Sequence, residues 1–412
     1  MITYNKGLPS LPDDIIYGIF GLLDIEALQS CSLTDKALSC SAKPFIHREL
    51  YLSPRSETPA RLDTWKEGLP ILGERGLLQH TYYISILLPL SISLSAHDLQ
   101  PHIQHLRSLT NLRSLKIHHL DIPSFIPKVE EYFAAFIETL QSLELVSPLG
   151  CHKEIAYFIC QFPKLRDLRI QGFRGHIGSV YNDDSHPDIK TSPPLDGTLV
   201  VKLGEEMGTG WGDSKGAQLV LSSLVTLPSC LKFRTLMLSG CRDDEPQLLV
   251  DACARTLECM EFTGHYLGAL FLYRRDCPKL IGTYLSGNPL CPRLSFARHP
   301  AFRKFKTRLV SRGGAEDPTR WLSETLSTIT STVFAELTIY FPSVYTVSEN
   351  RARGWNSVDD VLDRLNSRGA VTLVVRPAWW VVGDKSEDLI GKCFPLMWKN
   401  GRVVLEVPSP GT

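Results

Sequence analysis

The residues that could do covalent chemistry in this chain are few, and none sits in a complete pattern. Gly204, Gly208, Gly210, Gly212 and Gly216 lie between a strand-like Leu199 to Leu203 and a helix expected from Ala217, the order in which a glycine loop cradles phosphate. Neither G-x-G-x-x-G nor G-x-x-x-x-G-K-[ST] is present, so a polar loop is expected there. Cys241, Cys253, Cys259, His265, Cys277 and Cys291 cluster in the sequence, but they lack the closely paired ligands of a zinc site, and no metal is expected. His118 and His119 follow a strand-like run and read as exposed loop residues rather than an acid–base pair. There is no G-x-S-x-G elbow and no H-E-x-x-H helix. The expectation is a protein without catalytic residues, cofactor or metal, one that acts by binding.

One candidate binding signal is electrostatic. Lys plus Arg and Asp plus Glu number 44 each, so net charge gives no reason to expect nucleic acid or a membrane as partner. Against that balance, Leu290 to Ala315 carries Arg293, Arg298, Arg303, Lys304, Lys306, Arg308 and Arg312 with no acid, interleaved with Phe296, Phe302 and Phe305. Arg offers a bidentate fork to carboxylate or phosphate. Arg298, Arg303, Lys304, Lys306 and Arg308 are therefore candidate contacts for an acidic or phosphorylated protein, with the aromatic rings adding area; a solvated basic loop is the plainer alternative. Trp379-Trp380 reads as a packing staple or as aromatic surface for a ligand.

The elements that would position these residues follow from periodicity. Ser10 and Asp13 have capping-box spacing, and Pro12 suits a first turn, so a helix is expected from Leu11 or Pro12. Ile15, Ile16, Ile19, Phe20, Leu22 and Leu23 cover more than one stripe of it, more apolar surface than a three-turn helix needs. Asp24 is placed to cap a second helix and Thr34 a third running towards Ile46. After these helices, alternating apolar pairs recur mostly every 23 to 34 residues: Leu50/Leu52, Ile84/Ile86, Leu115/Ile117, Leu143/Leu145, Leu168/Ile170, Leu236/Leu238, Met260/Phe262, Tyr284 with its neighbours, Leu337/Ile339 and Leu373/Val375. Between them, Val129 to Leu140, His152 to Phe162, Ala217 to Leu227, Gln247 to Thr256, Leu267 to Arg275, Thr319 to Thr328 and Val358 to Asn366 have helical spacing. The expected fold is α/β: an N-terminal three-helix domain over 1–50, then over 51–412 a solenoid with a parallel inner sheet and outer helices. Insertions are expected near 174–197, 204–216 and 289–318, and a C-terminal cap near 381–407. A doubly wound α/β domain is the alternative that also alternates helix and strand.

Two resemblances give these elements a function. Residues 9 to about 52, through Leu11-Pro12, the apolar helix that follows, Cys31-Ser32-Leu33 and Arg48-Glu49-Leu50-Tyr51-Leu52, resemble an F-box of the fungal type. The stretches Phe233 to Cys241 and Leu280 to Asn288 match the leucine-rich-repeat pattern L-x-x-L-x-L-x-x-N/C. The F-box resemblance implies docking to a Skp-type adaptor through Leu11, Pro12, Ile16, Ile19, Phe20, Leu28 and Leu33, and through the adaptor to a cullin scaffold; an unrelated helical cap is the alternative. Where many members carry a Trp two residues after a basic residue, this chain has Leu38 after Lys36, which puts the affinity in question. The implied role is substrate recognition for a ubiquitin ligase in the cytoplasm or nucleus, with non-degradative scaffolding as the alternative. No stretch reaches the roughly 20 apolar residues of a membrane span. The 11 cysteines, with no C-x-x-C pair, suit buried thiols in a reducing compartment.

Overall fold

The computed structural model describes residues 12–52, 64–88, 93–172, 193–202, 222–226, 231–239, 245–263, 294–308, 318–341, 352–377 and 384–406. They fall in two compact units, Met1–Leu165 with Gly178–Pro193, and Arg166–Ile177 with Pro194–Thr412. Ser10, Leu11, the glycine loop at 204–216, Cys241, His265, Cys277, Tyr284, Cys291, Trp379-Trp380 and the helix expected over Leu267 to Arg275 lie outside the described residues, as does most of 174–197.

The first unit opens with α1 (Asp13–Phe20), α2 (Ile25–Thr34) and α3 (Lys36–Ile46). The Asp24 carboxylate accepts the Ala27 amide at 2.8 Å and so caps α2 as expected. The cap of α3 is Asp35 rather than Thr34. Its Oδ1 accepts the amides of Ala37 at 2.7 Å and Leu38 at 3.3 Å, while the Thr34 hydroxyl turns back to the Cys31 carbonyl as the last residue of α2. Ile16, Phe20, Leu28, Leu38 and Ala42 form the core of this small unit, with Ile19, Leu23, Cys31, Phe45 and Ile46 packed around it.

Four parallel strands follow in chain order: β1 (Glu49–Leu52), β2 (Tyr83–Ile86), β3 (Ser114–His118) and β4 (Ser142–Val146). Their register stacks Leu50, Ile84, Leu115 and Leu143 in one column and Leu52, Ile86, Ile117 and Leu145 in another. Successive side chains of a strand point to opposite faces, so the columns turn to the return segments and the residues between them turn away. Of those segments, His152–Cys160 is helical, whereas Val129–Phe133 stops short of Leu140 and continues in turns that still bury Phe136 and Leu140. The Thr81 hydroxyl donates to the His47 carbonyl at 3.1 Å, tying the strands to the end of α3.

The second unit repeats the arrangement through β5 (Asp167–Gln171), β6 (Thr198–Lys202), β7 (Thr235–Ser239), β8 (Cys259–Thr263), β9 (Lys304–Arg308), β10 (Glu336–Phe341), β11 (Thr372–Pro377) and β12 (Val403–Leu405), again parallel and in chain order. One column runs Leu168, Leu199, Leu236, Met260, Phe305, Leu337, Leu373, Val403. A regular ladder precedes the strands: Arg234 donates to Gly197, Glu258 to Arg234, Arg303 to Glu258, Ala335 to Arg303 and Thr372 to Ala335. Each unit is thus solenoid-like α/β, with strands stacked in sequence order.

The basic stretch is a repeat in this stack over its described part, 294–308. Phe296, Phe302 and Phe305 are fully buried, with Phe296 stacked on Phe302 at 4.1 Å, so these rings form core and cannot surround a bound motif. At the C-terminal end, Asp384–Cys393, Pro395–Lys399 and β12 supply the helix and strand of the expected cap. The buried Asp359 carboxylate accepts the Leu396 amide at 2.6 Å and the Met397 amide at 3.1 Å, fixing the start of Pro395–Lys399.

Candidate functional site

Two surfaces collect the residues expected to bind. The first is the outside of α1 and α2. Helical spacing puts Ile16 and Phe20 on the inner face of α1 and Ile15 and Ile19 on another, with Leu22 in the turn that follows. Ile16 is 4%, Phe20 1% and Leu28 4% exposed. Their expected role as contact residues is therefore corrected: they hold the unit together and have almost no surface to offer a partner. Among the described residues of 12–46, Leu22 at 88% and Leu33 at 87% are the most exposed large apolar side chains, followed by Ile15, Ile25 and Tyr17. Pro12 is exposed and Ile19 half-buried. The sequence named Leu33 as a contact and placed Ile15 and Leu22 in the surplus apolar surface without choosing them as contacts, because a helix needs only one stripe for its core and the pattern does not say which; Ile25, at the start of α2, was not singled out.

Apolar side chains of this size seldom stand fully in water in a group. Burying one contributes about 1.5–3 kcal/mol. Three short helices cannot do so among themselves, since their inner faces are already filled by the ten core and flanking residues.

The second surface is the open face of the strands, built from the positions between the buried columns. In the first unit its positions are Tyr51, Ser85, Lys116 and Glu144, with Ser85 buried and Lys116 Nζ 2.7 Å from Glu144. In the second, the middle row is Arg169, Val200, Met237, Glu261, Lys306, Thr338, Val374 and Val404, of which Val200, Thr338 and Val374 are buried. Lys304, Lys306 and Arg308 alternate with buried Phe305 and Thr307 on β9, so the fold brings these three basic residues onto one face. Arg298 and Arg303 are exposed but precede the strand and stand apart from that row.

The row is already partly neutralised. Lys304 Nζ lies 3.0 Å from Glu336. Burial alone pushes the Glu336 carboxyl up, but hydrogen bonds from Lys304 and Thr338, with Lys306 nearby, outweigh it and hold it below its ordinary value. Beside it, Tyr340 receives a hydrogen bond from Arg376 at 2.5 Å, and the guanidinium lies 5.2 Å from its ring centroid. The Glu406 carboxylate, hydrogen-bonded to Arg376, raises the guanidinium further.

The residues with potential for reaction are placed for structure. His119 is 2% exposed, with φ of 54°, and its backbone bonds to Val146 and Leu94, so it is no exposed loop residue. Half-buried His118 is pushed down to about 4 by burial, helped by Lys116 and His119. Burial pushes Cys160 and Cys253 up to about 12 and Cys393 to about 11, so their thiolates are out of reach near neutrality. Among the described residues no group of His, Cys, Asp and Glu could hold a metal ion, and no helix is long and apolar enough to cross a membrane. The two described surfaces offer apolar contact at one and charge and hydrogen bonds at the other.

No protein-family model matches the chain, and no curated protein matches it.

Proposed function

We propose that this chain is a non-catalytic substrate adaptor of a Skp/cullin/F-box ubiquitin ligase, with an F-box in α1–α3 and degenerate leucine-rich repeats after it. The observation that carries the reading is the exposure of Ile15, Leu22, Ile25 and Leu33 on a three-helix unit whose inner core is already filled. These side chains, with Pro12 and Ile19, dock the Skp-type adaptor; Leu11, also implied by the resemblance, lies outside the described residues. The open strand face takes the protein substrate, with Lys306 and Arg308 meeting an acidic or phosphorylated segment. The chain forms no covalent bond. It raises the concentration of a substrate lysine near a separately recruited conjugating enzyme, working in the cytoplasm or nucleus.

The test is co-purification from cells of the organism of origin. The intact chain should bring down a Skp-type adaptor together with a cullin. Leu22→Asp with Leu33→Asp should lose both, by about thirtyfold or more in affinity for the adaptor, while far-ultraviolet circular dichroism stays unchanged. Adaptor without cullin would favour a non-degradative scaffold. Capture of neither by the intact chain would sink the assignment. Lys306→Glu with Arg308→Glu should remove substrate proteins from the captured set and leave the adaptor in place.

A further inference from the structure

The C-terminal end of the second unit carries an edge whose sequence complements itself. β12 pairs with β11, and among the described residues no strand pairs its other side. The bonds from Leu373 to the Arg402 carbonyl and from Glu406 to the Val375 carbonyl show which groups face inward. By alternation, the amides and carbonyls of Val403 and Leu405 point outward. Such an edge is a template for another strand.

Soluble proteins blunt edges with charge, and β12 is flanked by Arg402 and Glu406. Here, however, the flanking charges are opposite in sign and equidistant from Val404. Laid antiparallel against a second copy about a two-fold axis through Val404, the segment sets Arg402 opposite Glu406 of the other copy, and Glu406 opposite its Arg402. Val403 then meets Leu405 twice, as two hydrogen-bonded pairs, with the two Val404 side chains between them. Directly opposed side chains of opposite charge in antiparallel strands attract, and like charges repel. An edge meant only to repel would carry like charges.

The surrounding surface agrees. Val404, at the centre of the strand, is 45% exposed on the open face. The Arg376 guanidinium of β11 already holds Glu406 on its own chain, and a carboxylate accepts more than one donor, so a second Arg can share it. We propose that this edge is a self-association site at which two copies of the chain pair β12 to β12 as a closed, two-fold dimer. The inference stands apart from the adaptor reading, since it uses none of α1–α3.

Sedimentation velocity of the full chain over a concentration series tests it. A monomer–dimer equilibrium is expected, with Kd on the order of 10 μM, the weak end that a small interface supports. Arg402→Glu and Glu406→Arg should each weaken self-association about tenfold or more, because symmetry turns two attractions into two repulsions. Mixing these two variants should restore dimers, now of mixed composition. The chain with Arg402→Glu is acidic at both flanking positions and the chain with Glu406→Arg is basic at both, so each opposed pair across the mixed interface attracts. If either variant unfolds by circular dichroism, Val404→Glu, which sets two like charges on the axis, should give a folded monomer. A wild type that is monomeric at all concentrations, open-ended oligomers, or singles and mixtures that associate like wild type would each overturn the proposal.

Discussion

The three N-terminal helices and the stacked strands solve the same problem, how to bury apolar surface, in opposite ways. In the strands each buried column continues from one repeat to the next, so Phe305 has Met260 on one side and Leu337 on the other. The helices have no such neighbours: their core is Ile16, Phe20, Leu28, Leu38 and Ala42, and further apolar side chains remain outside. The difference teaches that surplus apolar surface marks a place where a chain stops short of completing itself. A unit too small to bury it leaves it exposed.

The largest effect expected is in the core of the stack. Phe305→Ala should cost about 3–5 kcal/mol, since a fully buried ring is removed between two occupied repeats. Heat or urea unfolding followed by tryptophan fluorescence should show it as an early, broadened transition of the second unit. Phe20→Ala removes a ring of the same kind from the small core, and there the loss should melt α1–α3 while the second unit's transition stays in place. If Phe20→Ala lowered both transitions equally, the contrast between repeats that complete one another and helices that rest on their own small core would be wrong.

The caps sharpen the contrast at about a third of that size. Asp35→Ala should destabilise the helices by about 1 kcal/mol, because two amides at the start of α3 lose their acceptor. Thr34→Ala, which removes only a hydroxyl bonded back within α2, should cost much less. Equal losses would restore Thr34 as the cap. Here the sequence was legible to within one residue: Thr34 and Asp35 are both good caps, and only the extended backbone of Asp35 decides between them.

The same limit explains what else was and was not legible. The alternation at Leu115/Ile117 or Leu337/Ile339 identified strands directly, because both buried positions are aliphatic. β9 hid because its second buried position is Thr307 and its open positions are Lys304, Lys306 and Arg308, so it read as a basic interruption. Its place is set by the register with β8 and β10, which no local pattern contains. At the helices the surplus of apolar positions was legible, but which stripe faced inward depended on where α2 and α3 packed. That is why Ile16, Phe20 and Leu28 were expected as contacts in place of Ile15, Leu22 and Ile25.

In the first unit's strands, acid should act through His118. Its folded value is about 4 against 6.5, chiefly through burial, with Lys116 and His119 adding to it and Glu144 opposing. Between those values the unfolded chain binds a proton that the fold refuses, so stability falls as pH drops from 6.5 towards 4 and this contribution levels off below. Solvent at the half-exposed ring reduces the size of the effect. Urea midpoints measured across that window should decline for the wild type and less for His118→Gln; parallel curves would remove His118 as the cause.

The smallest expected effect lies on the open face, where both units place a Lys–Glu pair across neighbouring strands. Lys116 and Glu144 are 2.7 Å apart with side chains 25% and 14% exposed, and Lys304 and Glu336 are 3.0 Å apart at 49% and 25%. Water screens the second pair more, and holding two long side chains still costs entropy that an exposed pair barely recovers. Double-mutant cycles to Ala should therefore give a coupling of up to about 1 kcal/mol for Lys116–Glu144 and only a few tenths for Lys304–Glu336. Both should shrink in high salt, Lys304–Glu336 the more. The order bears on the proposed substrate contact, because a weakly held Lys304 could exchange Glu336 for a carboxylate or phosphate and so join Lys306 and Arg308 at less cost than the tighter Lys116–Glu144 pair would demand. A stronger coupling at Lys304–Glu336 would mean that Lys304 is spent within the fold, and would leave the proposed contact to Lys306 and Arg308 alone.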